Sequence, residues 1–518
     1  MLTNLNSKQK QLGFMLLAAL ALGASFTYEN LFFLPWICFL PFLLSLQGVT
    51  IKRAYFLGLG FGCLFFVIAS HWIVGFLQKM SNIGLGYAIS LAGIYWIFCA
   101  QQFALLAAAV VWVAKKQPGS EWLSLPLFSC LLFYALPLIF PSDLSVTQSK
   151  FLLALQAVDT TGALGLHFII LLHNGLLFAV VKNSFRQLNN HHYAAVGLIC
   201  AWFIYGCAAY FYWVKQEQNW PRLNVGVVQP NIAASIGVPA PPQGFSRAYP
   251  VEMDLSVALA RAGASLIVWP EARYRGFYNE AYVRDAFKYY ADKTDASLLI
   301  QDLQTKDNLT FNTSALITKK NRQDYAKQIR IPFGEYLPGE SVPLLGIFFK
   351  KIFGDFYTPI AAGSISEPME FRKIKIQPLI CFEIADANYL ANLVRSSTQQ
   401  KKPIQLLLVQ SNDSWFDTDI EPRLHLATSQ LRSIEQRLPL VHALNNGPSS
   451  FYKASGQVDA RLAANERSAA VRNITYPESV AMTVYARYPH LFIVVILLCS
   501  ICWLLRALIL NENRKSFL

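Results

Sequence analysis

Charged residues are scarce in this chain. Only 14% of its 518 residues are Asp, Glu, Lys or Arg, and 54% are hydrophobic, whereas about a quarter of the residues of a soluble domain are charged. This scarcity excludes an ordinary soluble protein and predicts a membrane protein. The formal net charge of +13 is attributed mainly to basic loops between apolar runs, so no nucleic-acid-binding surface is predicted.

Cysteines outside apolar runs are scarcer still. Cys381 is the only one of nine cysteines that lies outside the long apolar segments, where a free thiol packs as a small hydrophobic group. Cys499 and Cys502 have Cys-x-x-Cys spacing, but their apolar context is typical of packing and not of a redox motif. A single thiol cannot form an internal disulfide. Cys381 is therefore the first candidate for a nucleophile.

Eight apolar runs are long enough to be membrane spans, since a spanning helix needs roughly 20 mainly apolar residues. Seven of them precede residue 215 and one closes the chain. They lie near 11–26, 31–48, 54–76, 84–114, 121–140, 163–181, 193–214 and 488–509. A cleaved signal peptide is the alternative for the first run, because Lys8 and Lys10 precede it. The second run begins only a few residues later, which favours a retained span.

The basic residues of the short connections predict the orientation of the chain. A cytoplasmic N-terminus puts eleven lysines and arginines inside and only Lys79 and Lys150 outside, as the positive-inside rule requires. Seven spans then carry the next segment across the membrane, which in a bacterium leads to the periplasm. We therefore predict a seven-span membrane domain at 1–214, an exported domain at 215–487, and a final span with a cytoplasmic tail at 488–518.

The exported region alternates short β-rich stretches with helical ones, which predicts a layered α/β domain. The predicted strands are Leu223 to Val228, Ser265 to Trp269, Ser297 to Gln301, Ile374 to Ile380, Ile404 to Val409 and Leu440 to Leu444. The predicted helices are 251–262, 279–292, 387–398 and 421–437. One segment, 342–356, concentrates large apolar side chains around two lysines. It is interpreted either as core or as an arm that lies in the membrane interface.

Three polar residues follow predicted strands or lie in adjoining loops, where α/β folds usually build their sites. They are Glu271, Lys327 and Cys381. Since a thiol attacks as thiolate but titrates near ~8.5, Cys381 needs a base such as Glu271. An ammonium such as Lys327, with the backbone N–H after the nucleophile, would stabilise the oxyanion of acyl transfer. Taken singly, each charge is typical of solvated surface, so the prediction depends on the three together.

Four spaced motifs contain these residues and carry a resemblance. They are Trp269-Pro-Glu271, Tyr325-x-Lys327 with Ile331-Pro-Phe-Gly-Glu335, Ile380-Cys381-Phe-Glu383, and Ser411-Asn-Asp-Ser-Trp415-Phe416. In this order they resemble the signature of the nitrilase superfamily, the carbon–nitrogen hydrolases. Together with seven apolar runs before and one after, the chain is similar to the bacterial inner-membrane apolipoprotein N-acyltransferases over nearly its whole length.

This resemblance implies a fold, a reaction and roles for residues. The fold would be an αββα sandwich on the periplasmic face of eight transmembrane helices. The reaction would take a fatty acyl chain from a phospholipid, with phosphatidylethanolamine as the expected donor. The chain would be held as a cysteine thioester and then passed to the N-terminal amine of diacylglyceryl-cysteine in an apolipoprotein. No cofactor is implied, and a monomer suffices.

The resemblance also assigns individual residues. Glu271 would be the general base, Lys327 the oxyanion stabiliser and Cys381 the nucleophile. Glu335 would hold the lysine or share proton transfer, and Glu383 would support the cysteine loop. Trp415 and Phe416 would contact substrate, although an aromatic pair after a strand is also typical of core packing.

Four positions depart from the family pattern near the presumed site. Phe382 stands where the family commonly has Tyr, and His442 where it usually has Arg. Ala385-Asp386 and Arg273 are the other two departures. The Glu, Lys and Cys of the motifs are intact, so acyl-enzyme chemistry is still expected. The donor and the acceptor stay open, including those of a divergent paralogue.

Two other functions remain open from the residues. One is a membrane-bound nitrilase-type amidase, in which water instead of an amine resolves the acyl-enzyme. The other is a transporter or scaffold whose exported domain only binds, for which Cys381 would be dispensable. The eight histidines form no ligand set in the sequence, since His425 and His442 lie on separate elements. No metal site is therefore predicted.

Overall fold

The computed structural model describes residues 7–515, with gaps at 82, 137, 141, 184–187, 236, 239, 273, 340–341, 345, 348–358 and 365–366. The chain forms two compact units. The first consists of Met1–Val74, Gly84–Phe211 and Tyr488–Leu518, and the second of Gly75–Ile83 and Tyr212–Arg487. Most of the predicted arm at 342–356 lies outside the described residues.

The first unit is a bundle of apolar helices. Among the described residues, five helices are long and apolar enough to cross a membrane: Ser7–Thr27, Ile51–Ala69, Leu85–Lys116, Ala163–Lys182 and Asn190–Gln218. Two shorter apolar helices are Glu121–Ala135 and Leu491–Leu505, the latter within the helix Leu491–Lys515. Seven of the eight predicted runs thus coincide with apolar helices. The remaining connections include the short helices Leu152–Leu155 and Val158–Thr161.

The predicted span at 31–48 is wrong as a single helix. The structure has two 3₁₀ turns, Glu29–Leu31 and Leu34–Trp36, followed by the helix Phe39–Ser45. Pro35 interrupts the helix because it lacks an N–H and its ring clashes with the preceding turn. Side chains of neighbouring elements bind the freed backbone groups, as an apolar environment requires: Asn174 Oδ1 accepts from Phe39 N at 2.9 Å, and Asn174 Nδ2 donates to the Pro35 carbonyl at 2.9 Å.

The second unit contains two six-stranded sheets. The first has the strand order β12-β1-β2-β3-β4-β5 and the second has the order β11-β10-β9-β8-β7-β6. The strands of the first sheet are β1 Arg222–Gln229, β2 Leu266–Val268, β3 Ser297–Lys306, β4 Leu309–Ile317, β5 Arg322–Ala326 and β12 Ser468–Thr475. Those of the second are β6 Met369–Phe371, β7 Ile374–Ile380, β8 Leu406–Ser411, β9 Leu440–Leu444, β10 Ser450–Tyr452 and β11 Val458–Arg461.

The two sheets pack face to face between two helical layers. One buried core contains apolar residues of both sheets, such as Val225 and Leu299 from the first and Ile376 and Leu408 from the second. The helices Val251–Arg261 and Ala281–Thr294 cover the outer face of the first sheet. The helices Ala387–Gln399 and Ile420–Gln436 cover the second. The unit is therefore an αββα sandwich. It also includes Gly75–Ile83, which contains most of the helix Ile73–Ser81, and the short helix Val484–Arg487.

The six predicted strands and four predicted helices are all present. Their ends differ by a few residues, the largest change being β3, which runs on from Gln301 to Lys306. The sequence did not predict β4, β5, β6, β10, β11 or β12. These strands are short, lie at sheet edges or carry buried polar residues, so they lack the alternating apolar pattern that identifies a strand.

Candidate active site

Cys381 lies where a buried strand turns sharply. It directly follows β7 and begins the 3₁₀ turn Cys381–Ala385, and its φ of 51° is in the left-handed region. This backbone conformation costs a non-glycine residue on the order of 1–3 kcal/mol and is concentrated at functional sites. The thiol is therefore held at the carboxyl edge of the second sheet by a conformation that must be stabilised by its surroundings.

Glu271 approaches the thiol from the facing sheet. It follows β2 after the buried Trp269, and its Oε1 accepts a hydrogen bond of 2.8 Å from Asn312 Nδ2. Burial raises the pKa of this carboxyl above its ordinary value, and the Glu335 carboxylate adds to the rise. The Lys327 ammonium and the hydrogen bonds from Asn312 and Cys381 oppose it. A carboxylate with a raised pKa beside a thiol suits a general base.

Lys327 is a fully buried cation. It follows β5, has a relative exposure of 0%, and its Nζ lies 2.8 Å from Glu335 Oε1. Burial opposes its charge, but the carboxylates of Glu335 and Glu271 outweigh burial and raise the pKa of Lys327 above its ordinary value. The ammonium is therefore permanent at neutral pH, and it lies close enough to Cys381 to interact with a thiolate formed there.

The resting thiol of Cys381 is neutral. Burial is the largest effect and raises its pKa well above the ordinary value, and the Glu271 carboxylate raises it further. Lys327 opposes this rise without overcoming it. The proton must therefore leave during the reaction, and Glu271 is the adjacent group that can take it.

Glu383 joins the cysteine turn to the lysine loop. It is buried, and its Oε2 accepts from Ile380 N at 2.8 Å while its Oε1 accepts from Gln328 N at 2.6 Å and from Tyr325 Oη at 2.8 Å. Burial raises its pKa to about 7, against the hydrogen bonds from the backbone. One side chain thus fixes the strand end before Cys381 and the backbone directly after Lys327.

Asn312 was missed as a site residue by the sequence analysis. Its Nδ2 donates to Glu271 at 2.8 Å and lies 3.4 Å from Glu335 Oε1, while its Oδ1 accepts from Gln301 Nε2 at 2.7 Å. Gln301 Oε1 in turn accepts from Ala272 N at 2.7 Å. The available signal was two uncharged amides inside β3 and β4, where buried polar groups need partners. Asn312 holds both acidic residues of the site at once.

Arg275 anchors the loop that carries Glu271. Its Nη2 donates to the Pro270 carbonyl at 2.9 Å and its Nε to the Gln301 carbonyl at 2.9 Å. It also forms a buried ion pair with Glu252. This charge-assisted network limits movement of the loop that carries Glu271. The neighbouring departure, Arg273, lies outside the described residues.

A second polar cluster meets the same cysteine through its backbone. His425 Nδ1 lies 3.2 Å from both carboxylate oxygens of Asp413, and His425 Nε2 lies 3.4 Å from the Cys381 carbonyl. The polar atoms of Asp413, Glu421 and His425 all lie within 4.8 Å of one another. The sequence analysis placed the histidines on separate elements and did not predict this convergence, because the residues come from a loop and a helix that only the fold brings together.

Two departures from the family pattern have local partners. Asp386 Oδ1 accepts from Tyr389 N at 2.9 Å and so caps the helix Ala387–Gln399. His442 is buried, with Nδ1 2.9 Å from Ser429 Oγ and Nε2 2.8 Å from Ser411 Oγ. Its ring meets that of His425 edge-on at 4.8 Å. Burial lowers the pKa of His442, so this position carries no charge where the family usually has a cation.

The aromatic pair Trp415 and Phe416 lies in the loop after β8. Phe416 stacks on Phe76 of the helix Ile73–Ser81, with ring centroids 5.2 Å apart and 17° between the planes. The next residue, Asp417, forms an ion pair with Lys79 of the same helix. Trp415 is half-buried. The pair is thus partly engaged in packing, and its contact with substrate stays a prediction.

Comparisons with known proteins place this geometry in context. Residues 18–176 match the apolipoprotein N-acyltransferase N-terminal domain, and residues 224–480 match the carbon–nitrogen hydrolase family. The chain is 26% identical to an apolipoprotein N-acyltransferase of Shewanella oneidensis, with 94% of this chain and 95% of that protein covered. It is 25% identical to one of Geobacter metallireducens, with 85% of each covered. A carbon–nitrogen hydrolase superfamily structure from Xanthomonas campestris is 16% identical, with a TM-score of 0.36, over 52% of this chain and 96% of that one.

Proposed function

Because the chain belongs to the apolipoprotein N-acyltransferases, whose two characteristic domains it carries in order, we propose that it transfers a fatty acyl chain from a phospholipid to the N-terminal amine of diacylglyceryl-cysteine in apolipoproteins. The acyl chain waits as a thioester on Cys381. The observation that supports this most is the convergence of a base, a buried cation and a thiol: Asn312 binds the base Glu271, and the cation Lys327 interacts with both Glu271 and Cys381.

The first half-reaction forms the thioester. Glu271 takes the thiol proton as the Cys381 sulfur attacks the ester carbonyl of the phospholipid. Lys327 and the N–H of Phe382 stabilise the negative charge that develops on the carbonyl oxygen. The C–O bond then breaks, and the lysophospholipid leaves with the proton that Glu271 held. Glu335 keeps Lys327 in place throughout.

The second half-reaction transfers the acyl group to the acceptor. The free amine of the lipoprotein attacks the thioester carbonyl, Glu271 accepts the amine proton, and the C–S bond breaks to restore the thiol through the same proton. Storing the acyl group on sulfur lets two bulky lipids use one site in turn, so ping-pong kinetics are expected. The amidase alternative is not favoured, since the N-terminal domain match and the relatives are those of acyltransferases.

We further propose eight membrane crossings with the αββα unit in the periplasm. The irregular segment at 31–48 counts as one crossing, which gives seven before the catalytic unit. The helix Ile73–Ser81 supports this orientation: the charge rule puts Lys79 outside, and Lys79 pairs with Asp417 of the catalytic unit. In this scheme the membrane domain consists of 1–214 and 488–518. The acyl donor is phosphatidylethanolamine, and Trp415 and Phe416 contact the acyl chains. The enzyme acts as a monomer.

A mass measurement on the purified protein tests the proposed function. The protein in detergent receives phosphatidylethanolamine with a labelled acyl chain and no acceptor, and its intact mass is recorded. We expect one acyl adduct on the wild type and on Cys200→Ala, whose thiol is exposed and remote in sequence, but none on Cys381→Ala. A diacylated lipopeptide should remove the adduct and become triacylated. An adduct that water alone releases as fatty acid, with no transfer to the amine, would contradict the proposal.

A further inference from the structure

The histidine next to the nucleophile turn has no role in the mechanism above. His425 begins the second turn of the helix Ile420–Gln436 and is 8% exposed. Both of its ring nitrogens face acceptors, the Asp413 carboxylate on one side and the Cys381 carbonyl on the other. A neutral imidazole has only one N–H, so it can serve only one of these acceptors. The arrangement is that of an imidazolium that donates to both.

The charges around His425 favour the imidazolium. Four neighbouring groups face it: Asp413 from the loop after β8, Glu421 from its own helix, the Cys381 backbone, and the neutral ring of His442 from β9. Burial opposes the positive charge, but the charge and hydrogen bond of Asp413, together with Glu421 and the Cys381 carbonyl, outweigh burial and raise the pKa of His425 to about 9.

The contact with Cys381 matters because a peptide group is planar. The carbonyl of Cys381 and the N–H of Phe382 belong to one rigid plane and point in opposite directions. A donor that fixes the carbonyl therefore fixes the direction of the N–H. Hydrogen bonding at the carbonyl also polarises the peptide and strengthens its N–H as a donor. The distance of 3.4 Å is long for such a bond, and contacts of this kind shorten when substrate binds.

We propose that His425, held by Asp413, is a positioning residue that orients the Cys381–Phe382 peptide so that its N–H receives the oxyanion of acyl transfer. This proposal rests on the proposed function, since it concerns the same thioester chemistry. The contact with His425 would also help to stabilise the left-handed conformation of Cys381, because it acts on the residue whose backbone is strained.

The test compares two reactions of the same thiol. Acylation by p-nitrophenyl butyrate passes through an oxyanion and gives a burst of p-nitrophenolate, whereas alkylation by iodoacetamide at Cys381 does not pass through one. We expect His425→Gln to slow the burst about 10- to 100-fold, somewhat less than the ~10²–10³-fold lost when an oxyanion donor is removed. The alkylation rate should stay close to wild type, whereas the melting temperature should fall, because the buried Asp413 carboxylate loses its cation.

Two further variants complete the design. Asp413→Asn keeps His425 but removes the charge that holds it, and should slow the burst in the same direction by a smaller factor; it carries the test if His425→Gln does not fold. Ser429→Ala, a buried change one turn further along the same helix that touches His442, should alter neither rate. Equal losses in acylation and alkylation would show a merely structural role, and a wild-type burst in both variants would overturn the proposal.

The same experiment separates this inference from the proposed function. If the wild type gives a burst with the ester but takes no acyl chain from any phospholipid, the lipid donor is wrong while the effect of His425 is still measured. A wild type that gives no burst at all contradicts both, because neither a thioester nor an oxyanion site is then supported.

Discussion

Two buried polar clusters meet at Cys381, and they differ in the part of this residue that they contact. The lysine cluster, made of Glu271, Asn312, Lys327 and Glu335, surrounds the thiol and affects its ionisation. The histidine cluster, made of Asp413, Glu421 and His425, reaches the backbone carbonyl of the same residue. The first cluster has groups that can move a proton or stabilise a charge on the reacting atoms. The second acts mainly through the orientation of a peptide, although the Asp413 carboxylate also adds to the rise in the pKa of Cys381.

The origin of each cluster in the fold explains the difference. Residues of the lysine cluster follow or belong to β2, β4 and β5, all in the first sheet. Cys381 follows β7 in the second sheet, and the histidine cluster comes from the loop after β8 and the helix on that sheet's outer face. The proposed nucleophile, Cys381, thus has the candidate base and cation on the facing sheet and its backbone contacts on its own sheet. Packing the two sheets together is what assembles the site.

Loss of the base is expected to have the largest effect. Glu271→Gln keeps the size of the side chain and a possible hydrogen bond but cannot accept the thiol proton, so acylation of Cys381 should slow about 10²- to 10⁴-fold. Alkylation by iodoacetamide should slow as well, since it also needs the thiolate. This double loss distinguishes the lysine cluster from the histidine cluster. If the alkylation rate stayed at the wild-type value, Glu271 would not be the base, and the distinction would fail.

Removal of the buried cation should come next. Lys327→Met should slow acylation about 10²- to 10³-fold through loss of oxyanion stabilisation. It should also destabilise the fold by about 3–5 kcal/mol, because Glu335 is left as an uncompensated charge. The double variant Lys327→Met/Glu335→Gln should regain much of the melting temperature but none of the burst rate. Recovery of both would show that the lysine only stabilises the fold, and the exposed Lys319→Met provides the control.

The sequence was sufficient for the layered fold because its central strands are continuous apolar runs. β7 and β9 were predicted to the residue, since both are buried along nearly their whole length. The edge strand β12, with mostly half-exposed residues, has no comparable pattern. The break at 31–48 was not predicted although Pro35 lies within it, because hydropathy does not show that Asn174, far along the chain, binds the backbone of that segment.

Residues of the candidate site could be proposed from the sequence where chemistry dictates residue types, and less so where it does not. Glu271, Lys327 and Cys381 stand out because acyl transfer needs a base, a cation and a thiol, and motifs surround them. Asn312 and His425 act on those groups through hydrogen bonds across sheets and helices. Their roles depend on long-range register, which no local pattern contains. Only the folded structure shows that Asn312 and His425 contact the candidate site residues.

Weakening the lysine cluster without removing a charge should have an intermediate effect. Asn312→Ala deletes the hydrogen bond that favours ionised Glu271, so the pKa of Glu271 should rise further. Because the base works only when deprotonated, the acid limb of the rate–pH profile should move to higher pH, with roughly a tenfold loss at neutral pH. Gln304→Ala, on the neighbouring strand β3, should leave the profile in place. An unshifted acid limb in Asn312→Ala would mean that the amide only packs.

The smallest effect is expected at Glu421, the outer member of the histidine cluster. Its Oε2 is buried and has no hydrogen-bond partner among the residues that the structure describes, and burial, with the charge of Asp413, raises its pKa to about 8. Because the raised pKa favours the protonated carboxyl, which the amide of Gln resembles, Glu421→Gln should change the burst rate less than about threefold. Stability gives the sharper signal. Between the ordinary pKa of 4.5 and about 8, the folded state holds a proton that the unfolded state has released, so the wild type loses stability as pH rises through this window. The Gln variant lacks this loss, and its melting temperature relative to wild type should increase from pH 5 to pH 8.

A difference in melting temperature that stays constant, or that shrinks, would show that Glu421 is ionised in the fold and acts as a counter-ion to His425. The histidine cluster would then resemble the lysine cluster, as a buried cation held by more than one carboxylate.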